Sequence, residues 1–303
     1  MVTRGGFNDL AITKPDNEES RSCSQLPNVP RQVSDDLMAR FRIKNTWSTF
    51  RSEVRQTYCR ARGKEVLHFL HVSKTGGTAL KHVLRPYLTT PQYAIVLHGH
   101  RYKLRDMRKG DKVIFCLRDP ITRFVSGFYS RFRQGQPRFF VRWSEEEEKA
   151  FSHFNTPNRL ALALSSDDDE ERTRARQAMH CIAHVKDGYL GWFESEEYLL
   201  SRLPDIFLIG FQETLTQDFE RLRSKLGLPD SVHLPYDDVT AHRNPDNLDK
   251  KLDAEARANL TRWYAADVKL YSLCRRICDV ASTGQMPEWK SADAKDELLI
   301  PTG

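Results

Sequence analysis

The chain has 303 residues, enough for one large α/β domain or two small ones, and its hydrophobic fraction of 39% supplies a core and excludes global disorder. Lysine and arginine outnumber aspartate and glutamate by six, a mild excess that suits anionic ligands of several kinds, nucleic acid included, without choosing among them. There is no apolar window of about eighteen residues and no signal-peptide pattern at the start, so we expect no transmembrane helix.

The first elements of the chain are a polar segment, a strand and a helix. Residues 1–45 are polar and show little periodicity, which predicts a loosely ordered tail or a strap lying on the domain. The apolar run 65–72 then predicts a strand. Small and polar residues follow it, and a helical pattern opens at Thr78. A short Gly-rich turn therefore joins the first strand to the first predicted helix.

The same alternation continues along the chain. Apolar runs predict further strands at 93–97, 112–117 and 206–209. Helical patterns follow the last two of these strands, and one long final helix is predicted from Asp253 to Ile277. Strands that alternate with helices predict a parallel sheet covered on both faces, so the predicted fold class is α/β.

The predicted elements suit a single domain over residues 46–285, with a C-terminal tail over 286–303. The segment 144–200 is helical and charged, and we expect it to form the acceptor side of a cleft. Its two acidic runs, 145–148 and 167–171, each follow serine. Carboxylates in a first turn stabilise the helix dipole, so we interpret these runs as solvated helix starts rather than metal ligands.

The turn after the first strand has the composition of a phosphate site. It reads Ser73-Lys74-Thr75-Gly76-Gly77-Thr78 and combines backbone N–H groups with a helix N-terminus, an arrangement that binds phosphate. The glycines allow close backbone approach, Lys74 adds a point charge, and Thr75 and Thr78 add hydroxyl donors. The Walker P-loop has a glycine five residues before its lysine, but Phe69 stands there, so that pattern fails.

Two motifs together resemble a known family. The stretch 69–80 resembles the 5′-phosphosulfate loop of sulfotransferases, with Ser73 where the family usually has proline. The stretch 117–130 resembles the family's 3′-phosphate site, in which an arginine at a strand end and a serine eight residues later hold the ribose 3′-phosphate. Arg118 and Ser126 fit that spacing, which suits a guanidinium and a hydroxyl that converge on one phosphate.

The resemblance extends over about 66–280, and the stretches 207–214 and 266–271 are similar to the carbohydrate branch of the family. It implies the sulfotransferase fold, a P-loop-like central parallel sheet flanked by helices. It also implies 3′-phosphoadenosine 5′-phosphosulfate as the sulfuryl donor, adenosine 3′,5′-bisphosphate as its product, and no metal. The residues implied to bind the donor are Lys74, Thr75, Gly76, Gly77, Thr78, Ala79, Arg118 and Ser126.

Sulfuryl transfer needs a cation at the leaving oxygen and a base for the acceptor hydroxyl, and the resemblance implies Lys74 for the first task. The sequence His98-Gly99-His100 follows the second strand, so its loop should open at the same sheet edge as the phosphate loop. In the glycosaminoglycan sulfotransferases that this chain resembles, a histidine at this point acts as the base. We predict His100 as the base, assisted or oriented by His98, and which of the two takes the proton stays open.

Other titratable residues are weaker candidates. Glu213 and Asp267 are alternative bases if the fold brings them to the site. His180 and His184 stand one helical turn apart, but no third metal ligand lies near them in the sequence. His71 lies inside the first strand, where we expect it to be packed or bonded to backbone.

The expected acceptor is a carbohydrate. Basic clusters after His100 and after the second motif suit an anionic sugar polymer, and equally a solvated face. Arg159 is the candidate acceptor contact, because its segment resembles one near the acceptor in relatives. We expect no nucleic-acid partner, and the oligomeric state is open. Two alternatives remain: a nucleotide-dependent kinase, which would need magnesium ligands, and a catalytically inactive polyanion-binding protein of the same fold.

Six scattered cysteines in a chain of this length indicate buried or half-buried thiols in a reducing compartment. Golgi members of the family usually carry an N-terminal anchor, and this sequence shows none. We therefore expect a soluble cytoplasmic enzyme, as in a bacterium. A Golgi-lumen enzyme is the expectation only if an anchor precedes this sequence.

Overall fold

In the computed structural model, which describes residues 52–235, 237, 244–245 and 248–283, four strands form one parallel sheet. The strands are β1 (Glu65–Leu70), β2 (Tyr93–Leu97), β3 (Lys112–Leu117) and β4 (Ile206–Phe211), in the order β2-β1-β3-β4. The α/β prediction and all four predicted strands are confirmed, although β1 ends two residues earlier and β4 two residues later than expected. The predicted tails, 1–45 and 286–303, lie outside the described residues.

Helices surround the sheet. A helical segment at residues 52–61, α1, precedes β1. The helices that follow are α2 (Gly77–Leu84), α3 (Pro120–Phe132), α4 (Glu145–His153), α5 (Pro157–Ala163), α6 (Asp169–Cys181), α7 (Leu190–Phe193), α8 (Glu196–Ser201), α9 (Leu215–Leu226), α10 (Ala254–Trp263) and α11 (Ala265–Thr283).

Both faces of the sheet are buried, which is why its strands read as nearly continuous apolar runs. Leu67 and Phe69 of β1 pack with Leu80 of α2 and Phe219 of α9 on one face. On the opposite face, Leu70 belongs to a cluster that α7, α8 and α11 complete. The sheet therefore forms the middle layer of three, as in other parallel α/β folds.

The helices between β3 and β4 have a core of their own. Phe128 of α3, Phe151 of α4, Leu160 of α5, Met179 of α6 and Leu260 of α10 belong to one buried cluster. This helical layer carries α3, whose first turn follows β3 directly. Its packing therefore fixes the direction in which the second phosphate motif faces.

The single long helix predicted from Asp253 to Ile277 is wrong. The chain instead forms α10 and α11, which meet at Tyr264, a residue with φ −99° and ψ 28°. Leu260 of α10 packs in the helical layer, whereas Leu270 of α11 packs against the sheet. One straight helix cannot present its apolar side to both cores, and the chain therefore bends between them.

The two acidic runs begin helices, as predicted. Ser144 caps α4 in a capping box with Glu147, and Asp168 caps α6. Glu147 departs from the predicted solvated position, because it is buried and accepts a hydrogen bond of 2.8 Å from Arg131 Nε. Pairing with a buried guanidinium compensates the desolvation of its carboxylate.

The cysteines in the described part of the chain are free, as predicted. Cys59, Cys116 and Cys274 are buried, and Cys181 and Cys278 are partly buried. No helix within the described ranges combines the length and apolar character that a membrane span requires.

The buried ion pair that joins α3 to α11 is expected to be worth far more than an exposed pair. Arg123 Nη2 lies 3.1 Å from Asp267 Oδ2, both side chains are almost fully buried, and the Tyr189 N–H donates to the same carboxylate. Arg123→Met leaves that carboxylate buried without its cation, so we expect the free energy of unfolding in urea to fall by about 3–5 kcal/mol.

Arg174→Met provides the matched control, because Arg174 pairs with Glu170 on the exposed side of α6. We expect a change below about 1 kcal/mol there. Equal losses in the two variants would contradict this assignment of the buried pair.

Candidate active site

A cavity of about 860 Å³ opens at the carboxyl ends of β1 and β3. The connection after β1 leads to β2 on one side of the sheet, and the connection after β3 leads to β4 on the other. Ligands of open parallel sheets bind where neighbouring connections diverge in this way. Of the residues predicted from the sequence as donor contacts or bases, those that line this cavity are Lys74, Gly76, Gly77, Thr78, Ala79, His100, Arg118, Ser126 and the alternative base Glu213.

The phosphate loop joins β1 to α2 through two left-handed residues. Lys74 has φ 64° and Gly76 has φ 84°, and Gly76 is the N-cap of α2. No side chain caps that helix end, and its first residues line the cavity. Uncapped N–H groups together with the helix dipole make this end of α2 suited to an anion.

The packing of the loop requires both glycines. A Cβ atom on Gly77 would lie 2.4 Å from Cδ2 of His71, and one on Gly76 would lie 2.8 Å from Cδ2 of Leu215. Gly76 also has a positive φ, which side chains disfavour. The glycines therefore serve close packing behind the loop as well as backbone approach in front of it.

Two polar residues of the loop face inward rather than into the cavity. The Thr75 hydroxyl is buried and donates to the Val72 carbonyl at 3.0 Å, so its side chain braces the turn. The predicted contact of Thr75 with a ligand is thus left to its backbone. Ser73 is fully buried.

The surroundings of Lys74 disfavour its positive charge. Burial, together with the neighbouring guanidinium groups of Arg118 and Arg133, lowers the pKa of the ammonium to about 7. A bound anion would offset this shift, because a negative charge beside the ammonium favours its protonated form. The site therefore favours an anion at the end of Lys74.

Arg118 and Ser126 form the second predicted half of the site. Arg118 directly follows β3, and its Nε donates to Thr122 Oγ1 at 3.0 Å. The next residue, Asp119, caps α3 by accepting from the Thr122 N–H at 2.9 Å. Ser126 lies one turn further along α3 and also lines the cavity. Burial lowers the pKa of Arg118, against the effect of the nearby Glu213 carboxylate.

His100 lies on the cavity wall between the phosphate loop and His184. Its Nδ1 is 3.2 Å from the backbone carbonyl of His71, and the rings of these two residues are 3.9 Å apart. A carbonyl only accepts, so Nδ1 carries the proton and Nε2 is the unprotonated nitrogen. Burial lowers the pKa of His100, which keeps the ring neutral at pH 7.

His98 occupies a different place. Its ring is buried and does not line the cavity. The distance between His98 Nε2 and His68 Nδ1 is 2.8 Å. Burial lowers the pKa of His98 to about 3. The two histidines that the sequence treats as a pair thus lie on opposite sides of their loop, one in the cavity wall and one in the interior.

The other sequence candidates separate clearly. Asp267 is held by Arg123 in the interior, and Glu213 lines the cavity while its carboxylate accepts the Asp119 N–H at 2.7 Å. Arg159 is exposed in the first turn of α5 and is not among the residues that line the cavity.

His184 is a cavity residue that sequence reasoning missed. Helix α6 ends at Cys181, so His184 is not on the helix face of His180 but in a turn, with φ 67°, where Gly127 packs against its backbone. Its ring lies 6.2 Å from that of His100, and burial, followed by the charge of Lys74, lowers its pKa to about 3. Nothing in the local spacing signals this position.

His71 lies directly after β1 rather than inside the strand as predicted. It packs under Gly77 and against His100, as expected, and it also reaches the cavity. Within the described residues, no three His, Cys, Asp or Glu side chains are grouped so that they could hold a metal ion.

Two comparisons with known proteins bear on this site. A family model described as "Sulfotransferase family" matches residues 58–273, which is more than half of the chain and includes both anion-binding motifs and the His-Gly-His loop. No curated protein matches the chain in a sequence search.

The lowered pKa of Lys74 predicts a pH-dependent affinity for a simple anion. Inorganic sulfate keeps its charge throughout the neutral range, whereas the protonated fraction of Lys74 falls as the pH rises through about 7. Between about pH 6 and about pH 8 we expect the Kd of sulfate to rise roughly tenfold, as measured by calorimetry at constant ionic strength.

Lys74→Met is the control. It should bind sulfate weakly at both pH values, with a Kd that does not depend on pH. The neutral histidines contribute little, since His71 and His184 have pKa values of about 2 and about 3. The same slope in Lys74→Met would show that another group titrates.

Proposed function

The chain belongs to the sulfotransferase family, and from that premise we propose that it transfers a sulfuryl group from 3′-phosphoadenosine 5′-phosphosulfate to a hydroxyl of a carbohydrate acceptor. The observation that carries the proposal is the convergence of three groups on one cavity: the loop at Lys74, the pair Arg118 and Ser126, and the His100 ring. The reaction needs two anion sites and one base, and these groups can supply them.

The donor supplies the sulfuryl group and leaves as adenosine 3′,5′-bisphosphate. On the protein side, the uncapped start of α2 and Lys74 would hold the 5′-phosphosulfate end, and Arg118 with Ser126 would hold the 3′-phosphate. The fit rests on the packed glycines, because any side chain at Gly77 would displace the loop that the anion needs. Lys74, kept protonated by the neighbouring anion, would stabilise the negative charge that develops on the leaving oxygen.

His100 is the proposed base. Its Nδ1–H is held by the His71 carbonyl, so Nε2 is available to accept the proton of an acceptor hydroxyl. The lowered pKa keeps the ring unprotonated at neutral pH, and the nearby Lys81 and Lys74 contribute to that lowering because a second cation beside them is disfavoured. His98 lacks access to the cavity, which favours His100 in the choice that the sequence left open.

The carbohydrate acceptor is supported by the character of the cavity mouth. Phe139 lines the cavity and leaves 54% of its surface exposed, and the basic residues Arg133 and Arg138 stand on the same segment. An exposed aromatic face next to guanidinium groups suits a sugar ring that carries anionic substituents. Arg159, outside the cavity, would meet only an acceptor that extends beyond it.

Donor binding is the first test. We expect adenosine 3′,5′-bisphosphate to bind with a micromolar Kd, about 8 kcal/mol, in calorimetry. Arg118→Ala should weaken it by roughly tenfold or more, because charge-assisted hydrogen bonds to the 3′-phosphate are lost. Arg174→Ala, on the exposed side of α6, is the matched control and should leave the Kd unchanged.

A Kd indifferent to Arg118→Ala would contradict the proposed clamp. Stronger stabilisation of the protein by ATP with magnesium than by the bisphosphate would favour a kinase instead. Steeply salt-dependent binding to DNA or heparin without donor binding would favour an inactive polyanion-binding protein.

Turnover tests the base. In a donor-dependent screen across sugar acceptors with mass detection, His100→Ala should lower kcat by about 10²–10⁴-fold, since a general base is removed. The Kd of the bisphosphate should stay within about twofold, because the loop and Arg118 are intact. His153→Ala on the exposed side of α4 is the control.

Normal turnover by His100→Ala would eliminate that residue as the base. Transfer to other alcohols but to no sugar would refute the carbohydrate part of the proposal while leaving the donor chemistry in place.

A further inference from the structure

A chain of buried polar side chains runs behind the His-Gly-His loop. His98 Nε2 lies 2.8 Å from His68 Nδ1, and His68 Nε2 lies 3.0 Å from Asp111 Oδ2. The same carboxylate oxygen pairs with Arg60 on α1 at 2.5 Å. We call these four residues the His68 chain. His68, His98 and Asp111 each expose less than a tenth of their surface.

The sheet places these residues together. His68 lies within β1, opposite Val96 of β2 and Val113 of β3. His98 comes directly after β2 and Asp111 directly before β3. The His68 chain therefore runs from the amino end of the strands to their carboxyl end, where the cavity lies. His68 faces the same side as the apolar Val66 and Leu70, where a polar side chain costs stability unless it is bonded.

The hydrogen bonds of the His68 chain have one direction. The Asp111 carboxylate, paired with Arg60, only accepts, so His68 Nε2 carries a proton and donates it. His68 Nδ1 is then unprotonated and accepts, which requires the proton of His98 on Nε2. Burial favours the neutral form of both rings, since it lowers their pKa values.

His98 is also the fixed point of its loop. Its N–H donates to the Phe69 carbonyl at 3.2 Å, and its carbonyl accepts from Lys81 Nζ of α2 at 2.8 Å. Gly99, the next residue, is exposed and has open space where a Cβ would be. Two residues after His98, the ring of His100 reaches the cavity. The loop is therefore bonded at His98 through both its side chain and its backbone. The next two residues are bonded through their carbonyls, Gly99 to the Tyr102 N–H at 3.3 Å and His100 to Trp192 Nε1 at 3.0 Å.

We propose that the His68 chain positions His100: it anchors His98 in one orientation, and His98 in turn sets where the His100 ring stands in the cavity wall. His98, His68 and Asp111 are then positioning residues, and His98 does not take the acceptor proton. This inference rests on the proposed function in one respect, the role of His100 as the base.

Two substitutions at one position separate positioning from simple stability. Asn at position 68 brings an amide oxygen to the place of Nδ1, so His68→Asn keeps the hydrogen bond from His98 and loses the hydrogen bond to Asp111. Gln at the same position brings an amide nitrogen to the place of Nε2, so His68→Gln keeps the hydrogen bond to Asp111 and loses the one from His98. Both variants replace the ring by an amide in the same buried site, which makes each the control for the other.

We expect His68→Asn to keep kcat within about threefold of the wild type. His68→Gln should lose about tenfold or more, because small displacements of a catalytic group are costly. In both variants the Kd of adenosine 3′,5′-bisphosphate should stay within about twofold of the wild-type value. A fall in kcat with an unchanged KM for the acceptor indicates a misplaced base. Equal kcat values in the two variants, both folded, would overturn the positioning role.

Nuclear magnetic resonance of protein labelled with ¹⁵N-histidine gives a readout that needs no turnover. At pH 7 the wild type should show the proton on Nε2 for His68 and His98 and on Nδ1 for His100. His100 should keep this state in His68→Asn and lose it in His68→Gln. A His98 ring that is charged, or protonated on Nδ1, would overturn the proposal.

The two proposals can therefore fail separately. A wild type that binds no donor and transfers no sulfuryl group refutes the proposed function, while the histidine spectra still decide whether the His68 chain orients His100. A His100 spectrum that is unchanged in His68→Gln, together with a normal kcat in that variant, refutes the positioning role and leaves the proposed function standing.

Discussion

The burial of a lysine at the carboxyl end of β1 is the constraint on which the site depends. Lys74 sits in a left-handed turn beside Arg118, and its surroundings disfavour its own charge. The loop is braced from behind by the Thr75 hydroxyl and by the tight packing of Gly77 on His71. In the proposed function, an anion bound at Lys74 would offset part of the free energy lost in desolvating the cation.

The same burial separates cationic from neutral groups within one cavity. Arginines keep their charge because a guanidinium resists deprotonation, whereas the histidines around the cavity lose theirs to desolvation. His100 can therefore stay unprotonated close to Lys74, since a second cation would be disfavoured by both burial and repulsion. A neutral imidazole beside cationic groups is the electrostatic arrangement that the proposed base-assisted transfer would require.

The helical layer contributes orientation rather than charge. It carries α3 with Ser126, and two buried ion pairs fasten it: Arg131 to Glu147 within the layer, and Arg123 to Asp267 across to α11. Buried pairs of this kind add little net stability compared with apolar packing, but they tolerate only a narrow geometry. They fix where Ser126 stands relative to the loop at Lys74.

The sequence by itself determined the local features: four strands, the helix start after Ser144, and the two loops that begin α2 and α3. These follow from short-range periodicity, capping chemistry and turn residues, which are complete within a few positions. Only the tertiary structure decided that Tyr264 divides the last helix, because two separate cores compete for its apolar side. Likewise, only the packing of the fold put His100 in the cavity, sent His98 into the interior and brought His184 to the wall. Their positions depend on contacts between residues distant in the chain, and no local spacing encodes such contacts.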